Sequence, residues 1–387
     1  SLILWLFNFN PIPPAYIIAI IGVATVWLMY KISSEMFSKR IGLIVATLTA
    51  MSPLIVLNAR MPYHTSPIPF FTVLLFFAVY KWVNGNIYFF PLITFLVGVL
   101  YNHELTTFVF SIPIFIFVLY GFWKKKKWSQ KLLNIKIVLC SIIAFLIPMT
   151  PFIMYDINHG YKQTFGFLVW VGYRLVKFPL NILQNIGETS NPINSLVEFT
   201  SYIQQLIFAP NIIVSLLILG ISVCYSMYLF SSLHTRTISY KTSHVLLFLY
   251  LLIPLIGLFL HRVPIEADVL LISPFILMTI AIFFDKLMSY LKLKNVLILF
   301  LLFVSFMNVY FLLSTNYLTT NTIKNRLTIS KQLRAADSII KMTGERNYNL
   351  VGQGELSFFP VFTMPYEYLL WWKGHPPVKQ NVDLKIV

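Results

Sequence analysis

A chain of 387 residues with 58% hydrophobic and only 11% charged residues is not an ordinary water-soluble domain, which carries roughly 25% charge. The net charge of +16 does not point to nucleic acid, because the cations gather in short runs between apolar stretches and no basic, aromatic-interleaved module is present. With a mean hydropathy of +0.78, the surface must largely face lipid.

Apolar runs of roughly 17–25 residues predict the spans. They fall at about residues 14–31, 41–58 and 66–81, then as two spans over 87–123 broken at Tyr101-Asn102-His103-Glu104, then at 137–155. After an amphipathic interval, 156–210, four more follow at about 211–233, 243–260, 267–287 and 295–313. The expected fold is an all-α integral membrane bundle of about ten transmembrane helices. Residues 1–313 form that domain, with 156–210 as a long external loop, and 314–387 form a small, incomplete external α/β segment. In that segment, 324–341 has helical spacing, 347–351 reads as a strand, and 366–372 as a short helix ended by Gly374 and Pro376.

Alternating the spans puts Lys31/Lys39/Arg40, Lys81, the Lys124–Lys136 cluster, Arg236/Lys241 and Lys286/Lys292/Lys294 together on the cytoplasmic side. The C-terminal segment is then extracytoplasmic. The chain starts at Ser1 in an apolar stretch and stops in the strand-like Asp383–Val387, so a fragment lacking one upstream helix is expected. Cys140 and Cys224 lie in apolar runs and read as fillers.

Ionisable groups at membrane depth are costly, so they pair, line a wet cavity or serve function. Arg60, His64, His103, Glu104, Asp156, His159, His261, Arg262, Glu266 and Asp268 share the external boundary, which predicts a cavity there. Blander roles stand beside this one. Asp156 and His159 read equally as caps, Arg262 as a snorkelling side chain, Glu104 with His103 as a structural ion pair, and His64 as an interfacial polar residue. The tract with Trp170, Tyr173, Arg174 and Lys177 reads either as a helix lying in the interface or as a plain loop helix. Phosphate loops, zinc-ligand spacings and nucleophile elbows are not found, so no cofactor or metal is expected.

Four stretches carry a family resemblance: Leu6-Phe7-Asn8-Phe9-Asn10-Pro11 with Phe37-Ser38-Lys39-Arg40-Ile41-Gly42; Ser52-Pro53 with Asn58-Ala59-Arg60; Pro151-Phe152 with Tyr155-Asp156-Ile157-Asn158-His159-Gly160; and His261-Arg262 to Pro274. The chain resembles the polytopic type C glycosyltransferases, in the branch of protein O-mannosyltransferases and aminoarabinose transferases. The resemblance implies sugar transfer from a polyprenyl-phosphate donor to a hydroxyl-bearing or similar acceptor outside the cell. It implies a catalytic carboxylate in the first external loop. Residues 1–14, the remnant of that loop, hold no Asp or Glu, so the base is expected upstream of Ser1.

For the donor phosphate, Arg262 is the first choice and Arg60 the second, because a guanidinium forks onto phosphate oxygens and keeps its charge. His64, His103, Glu104, Asp156, His159, His261, Glu266 and Asp268 are the substrate-binding candidates. The expected partners are the lipid-linked donor and membrane lipids. A transporter or flippase of lipid-linked sugars is the rival reading, though it would more often show internal symmetry and midplane charges. A polymerase or ligase of surface polysaccharide is another.

Overall fold

The computed structural model describes residues 2–173, 176, 192–231, 238–261, 266–290, 294–315, 329–353, 363–378, 380, 382 and 384–386. The chain divides into two compact units, Tyr16–Phe311 and the pair of segments Ser1–Ala15 and Leu312–Val387.

The described helices, in chain order, are α1 (Leu2–Leu6), α2 (Pro13–Met36), α3 (Lys39–Met51), α4 (Pro53–Asn58), α5 (Ile68–Val83) and α6 (Phe89–His103). After a 3-10 turn (Leu105–Phe110) come α7 (Ser111–Trp123), α8 (Lys127–Gln130), α9 (Ile135–Asn158) and α10 (Lys162–Gly172). Then follow α11 (Pro192–Ile207), α12 (Ile212–Ser231), α13 (Ile238–His261), α14 (Glu266–Tyr290) and α15 (Lys294–Ser314).

Among the described residues, six helices are long and apolar enough to cross a membrane: Pro13–Met36, Leu105–Trp123, Ile135–Asn158, Ile212–Ser231, Asp268–Ser289 and Lys294–Ser314. Three shorter apolar helices, Ile68–Val83, Phe89–His103 and Thr242–Leu258, fall where further spans were expected. The chain is thus a multi-pass, largely helical membrane protein, and the helices among the described residues do not confirm the expected count of about ten. One reason is local. The expected span over 41–58 is two helices, because Pro53 forces Ser52 out of the helical region (ψ 118°) and then starts α4 as its first residue.

Burial sorts these helices by depth in the bundle. In α14, 89% of the apolar window is buried by protein, against 11% in α9. So α14 is the axis of this unit, packed by α3, α5, α12 and α13. By contrast, Leu139, Ile142, Ile143, Leu146 and Ile147 of α9 stay exposed, as lipid-facing residues should. Rings from four segments lock the centre. Phe110 stacks on Tyr250 at 5.2 Å, both meet Phe275, and Phe76 meets Tyr250 and Phe275, these contacts being edge-on or tilted at 5.2–5.6 Å.

Polar residues inside the spans have local jobs. Asn308 of α15, 2% exposed, donates to the Ile207 carbonyl (2.9 Å) and accepts from the Ala209 amide (3.0 Å). It thereby satisfies backbone groups at the end of α11 that the helix itself leaves open. Ser38 caps α3 by accepting from the Ile41 amide at 3.2 Å. Gly42 follows because a Cβ there would lie 2.7 Å from the Tyr30 carbonyl, where α2 and α3 cross.

In the smaller unit, α16 (Ile329–Thr343) and α17 (Met364–Trp372) pack around Ala336, Ile339, Tyr348, Leu369 and Leu370. Strands β1 (Asn349–Leu350) and β2 (Lys385–Ile386) pair in parallel beside them. Burial pushes the Tyr348 phenol above its ordinary pKa, and its hydroxyl donates to the His375 carbonyl at 2.7 Å. The N-terminal segment belongs to this unit too. Asn8 and Phe9 take positive φ (49° and 57°), a costly conformation for a bulky side chain. Tyr368 Oη donates to the Phe9 carbonyl (2.6 Å), Trp372 Nε1 to the Asn8 carbonyl (3.2 Å), and the Phe9 ring meets Trp371 edge-on at 5.3 Å.

Candidate functional site

Two of the predicted residues form a direct pair within the larger unit. The turn after α4 is pinned by Asn58, whose side chain exchanges hydrogen bonds with Ser66 (both 3.3 Å), while Ser66 Oγ donates to the Met61 carbonyl at 2.6 Å. That turn presents His64 to the end of α6. There Glu104 takes an extended backbone (φ −159°) and its carboxylate lies 3.4 Å from His64 Nε2. Glu104 therefore pairs with His64 and not with its neighbour His103. Adjacent side chains at a helix end point apart, and His103 Nδ1 is engaged at 2.7 Å by the His64 carbonyl, its ring stacked on Phe71. Arg60 is exposed in the same turn.

Asp156 stands apart from that group and organises another. Its carboxylate accepts from the Gln163 amide (2.8 Å), the Thr164 amide (3.1 Å) and the Thr164 hydroxyl. All three belong to the first turn of α10, so Asp156, buried at 2% exposure, holds that helix start where backbone donors lack helical partners. His159 bonds the Tyr155 carbonyl at 2.7 Å and stacks on the Tyr155 ring at 3.9 Å.

The consequence of anchoring α10 is a groove. Phe167 of α10 meets Tyr101 at 6.0 Å and Phe108 at 6.5 Å. Together with Trp170 it walls a cavity of about 400 Å³ whose other sides come from the 3-10 turn, α13 and α14. The lining is apolar (Val109, Ile112, Leu258 and Leu271 among others) except for Thr106 and Asp268. The Thr106 hydroxyl is buried and has no hydrogen-bond partner among the described residues. Asp268 is 6% exposed, in the first turn of α14. Glu266 lies just before it, its backbone bonded to the Tyr202 hydroxyl.

An apolar trough with one buried carboxylate and one unsatisfied hydroxyl suits a ligand with a hydrocarbon body and hydroxyl groups. Thr106 and the Phe167–Trp170 wall were not singled out as site residues by sequence reasoning. A threonine next to Thr107 in an apolar run carries no distinguishing signal, and the wall depends on where Asp156 places α10. Arg262 lies outside the described residues, as do Arg174 and Lys177, and for His261 only the backbone, at the end of α13, is described.

Against this geometry stand the comparisons with known proteins. Residues 1–155 match the family model of dolichyl-phosphate-mannose-protein mannosyltransferases. No curated protein matches. A solved structure, the archaeal oligosaccharyltransferase AglB from Archaeoglobus fulgidus in complex with an inhibitory peptide and a dolichol-phosphate, is similar with a TM-score of 0.48 at 14% identity over 89% of this chain. The chain spans 49% of the length of that structure. Over residues 1–155, then, the chain is similar to the dolichyl-phosphate-mannose-protein mannosyltransferases.

Proposed function

We propose that the protein transfers a sugar from a polyprenyl-phosphate donor to a hydroxyl-bearing acceptor on the extracytoplasmic face of the membrane. The family match over residues 1–155 carries this reading. The groove beside Asp268 is consistent with it, since a prenyl chain needs apolar walls open toward lipid and a sugar needs polar groups at one edge.

In the proposed reaction the acceptor oxygen attacks the anomeric carbon. The bond from that carbon to the phosphate oxygen breaks, polyprenyl phosphate leaves, and a carboxylate takes the acceptor proton. Asp268 and Thr106 are assigned to the hydroxyls of sugar or acceptor. Arg262, six residues before Asp268, is assigned to the phosphate, with Arg60 as the second cation. His64 and Glu104, paired at the end of α6, are assigned to substrate binding on the same side of the membrane. The base is not assigned to a residue of this chain. The basic clusters are assigned to the cytoplasmic side and the C-terminal unit to the external side.

The test is transfer by the full-length protein in proteoliposomes, with a radiolabelled sugar on a polyprenyl-phosphate carrier. Arg262→Ala is expected to abolish most donor use while leaving the folded fraction unchanged. Asp268→Asn should slow turnover by about 10²-fold if its carboxylate orients a reacting hydroxyl. Labelled donor that crosses the bilayer intact, with no sugar transferred, would replace this reading with transport.

A further inference from the structure

The larger unit has a second opening, at the other end of its axial helix. It is a cavity of about 440 Å³ between α3, α14 and α15, walled by Leu43, Ile44, Leu48, Ile298, Leu301 and Leu302 and edged by Arg40 and Lys294. Arg40 is in the first turn of α3 and Lys294 is the first residue of α15, so both cations sit at helix ends. Asp268, in the groove described above, and Asp285, beside Arg40, are at opposite ends of α14. At 1.5 Å per residue they are about 25 Å apart along it, close to the thickness of a hydrocarbon layer. The two cavities therefore open toward opposite surfaces of the bilayer.

The charge at this end is only partly compensated. A single guanidinium nitrogen, Nη1 of Arg40, lies 3.4 Å from both Asp285 Oδ1 and Ser289 Oγ. The remaining N–H groups of the fork stay available to another acceptor. Lys294 is exposed and has no acceptor among the described residues. Below these cations the walls are apolar apart from Thr47 and reach the lipid-facing surface, with Leu43 59% and Leu302 56% exposed. Arg40 can take a phosphate on two oxygens and Lys294 can add a point charge. A hydrocarbon chain fits against the leucines below. Both halves of such a ligand belong to one molecule that the bilayer supplies.

We propose that this cavity binds one anionic phospholipid of the bilayer, with its phosphate held by Arg40 and Lys294 and an acyl chain along Leu43, Ile44, Leu48 and Leu301. The proposal does not depend on the transferase reading.

To test it, the purified full-length protein is titrated in detergent with dioleoyl phosphatidylglycerol and, separately, with dioleoyl phosphatidylcholine, and bound lipid is counted by native mass spectrometry. Phosphatidylglycerol should bind more tightly. Arg40→Gln with Lys294→Gln should weaken it about tenfold or more, as two lost surface cations imply, and leave phosphatidylcholine unchanged. Arg40→Lys with Lys294→Arg should retain the preference. If the Gln pair does not fold, Leu302→Trp fills the groove while keeping both cations, and it too should lose the lipid.

Equal binding of the two lipids, or undiminished phosphatidylglycerol binding in the Gln pair, overturns the proposal. Glycerol 3-phosphate competing as well as the intact lipid would make this a free-phosphate site and overturn it as well. So would a polyprenyl phosphate that outcompetes phosphatidylglycerol here, or loss of the preference on replacing Lys124, Lys125, Lys126 and Lys127 with Gln instead.

Discussion

Asp156 lies near the end of an apolar helix, where a carboxylate invites a catalytic role, yet its oxygens are occupied by the first turn of α10. Hydrogen bonds to a charged acceptor contribute about 1.5–3 kcal/mol, and loss of a helix cap costs about 0.5–2 kcal/mol. Asp156→Ala is accordingly expected to destabilise the protein by about 2 kcal/mol, with Asp156→Asn, which keeps one acceptor oxygen, costing less. Thermal unfolding of the purified variants measures this, and an unchanged midpoint for the Ala variant would show that α10 is held some other way. Because α10 carries Phe167 and Trp170, the same substitution should also loosen the groove wall. The sequence left capping and catalysis open for this residue, since the deciding partners, Gln163 and Thr164, follow a left-handed Tyr161 that no spacing rule foresees.

At the scale of elements, α6 and α9 show how closely two apolar helices approach when a glycine permits it. A Cβ on Gly98 would lie 2.7 Å from the Pro148 ring and 3.1 Å from the Phe145 carbonyl. Neither a proline ring nor a helix backbone can swing aside, so Gly98→Ala is expected to cost about 1–3 kcal/mol by overpacking. The expected readout is a lower thermal midpoint with helix content retained; an unchanged midpoint would mean that the two helices separate easily. Around this contact Thr94 donates to the Ser141 carbonyl (2.8 Å) and Asn102 to the Pro148 carbonyl (2.9 Å). The apolar runs and the break near Glu104 were legible in the sequence, whereas the break at Ser52-Pro53 was not, since 41–58 reads as one continuous span. Which helix would be central was not legible either. Helices α14 and α9 are similarly apolar runs, and only packing makes one the axis and the other a lipid-facing flank. The site was legible in part for the same reason. Glu104 and His64 are distant in sequence and meet only because α5 and α6 form an antiparallel pair.

For the whole molecule, the strongest sequence-level expectation is sidedness, with the cations gathered at one bilayer surface and the candidate site at the other. In a background with Cys140→Ser and Cys224→Ser, an impermeant thiol reagent applied to intact cells should label Tyr63→Cys and spare Lys124→Cys until the cells are opened. Labelling of both from the same side would end the two-sided arrangement. Both positions are solvent-accessible, with Tyr63 60% exposed and Lys124 stacked over the exposed Trp123 ring at 4.2 Å, so access does not confound the result.

The bonds that hold the Asn8-Phe9 turn set a clock on synthesis. The hydroxyl that supports the Phe9 carbonyl comes from Tyr368, 359 residues further along the chain. At about 5–20 residues per second, that partner leaves the ribosome roughly 20–70 s after Phe9 does. Throughout that interval the turn has only its local backbone bonds, such as that from the Phe9 amide to the Leu4 carbonyl at 2.6 Å, and none of the support that Tyr368 and Trp372 bring. The N-terminal segment must therefore be kept from other partners while all of α2 to α15 is made, and the smaller unit closes only after them.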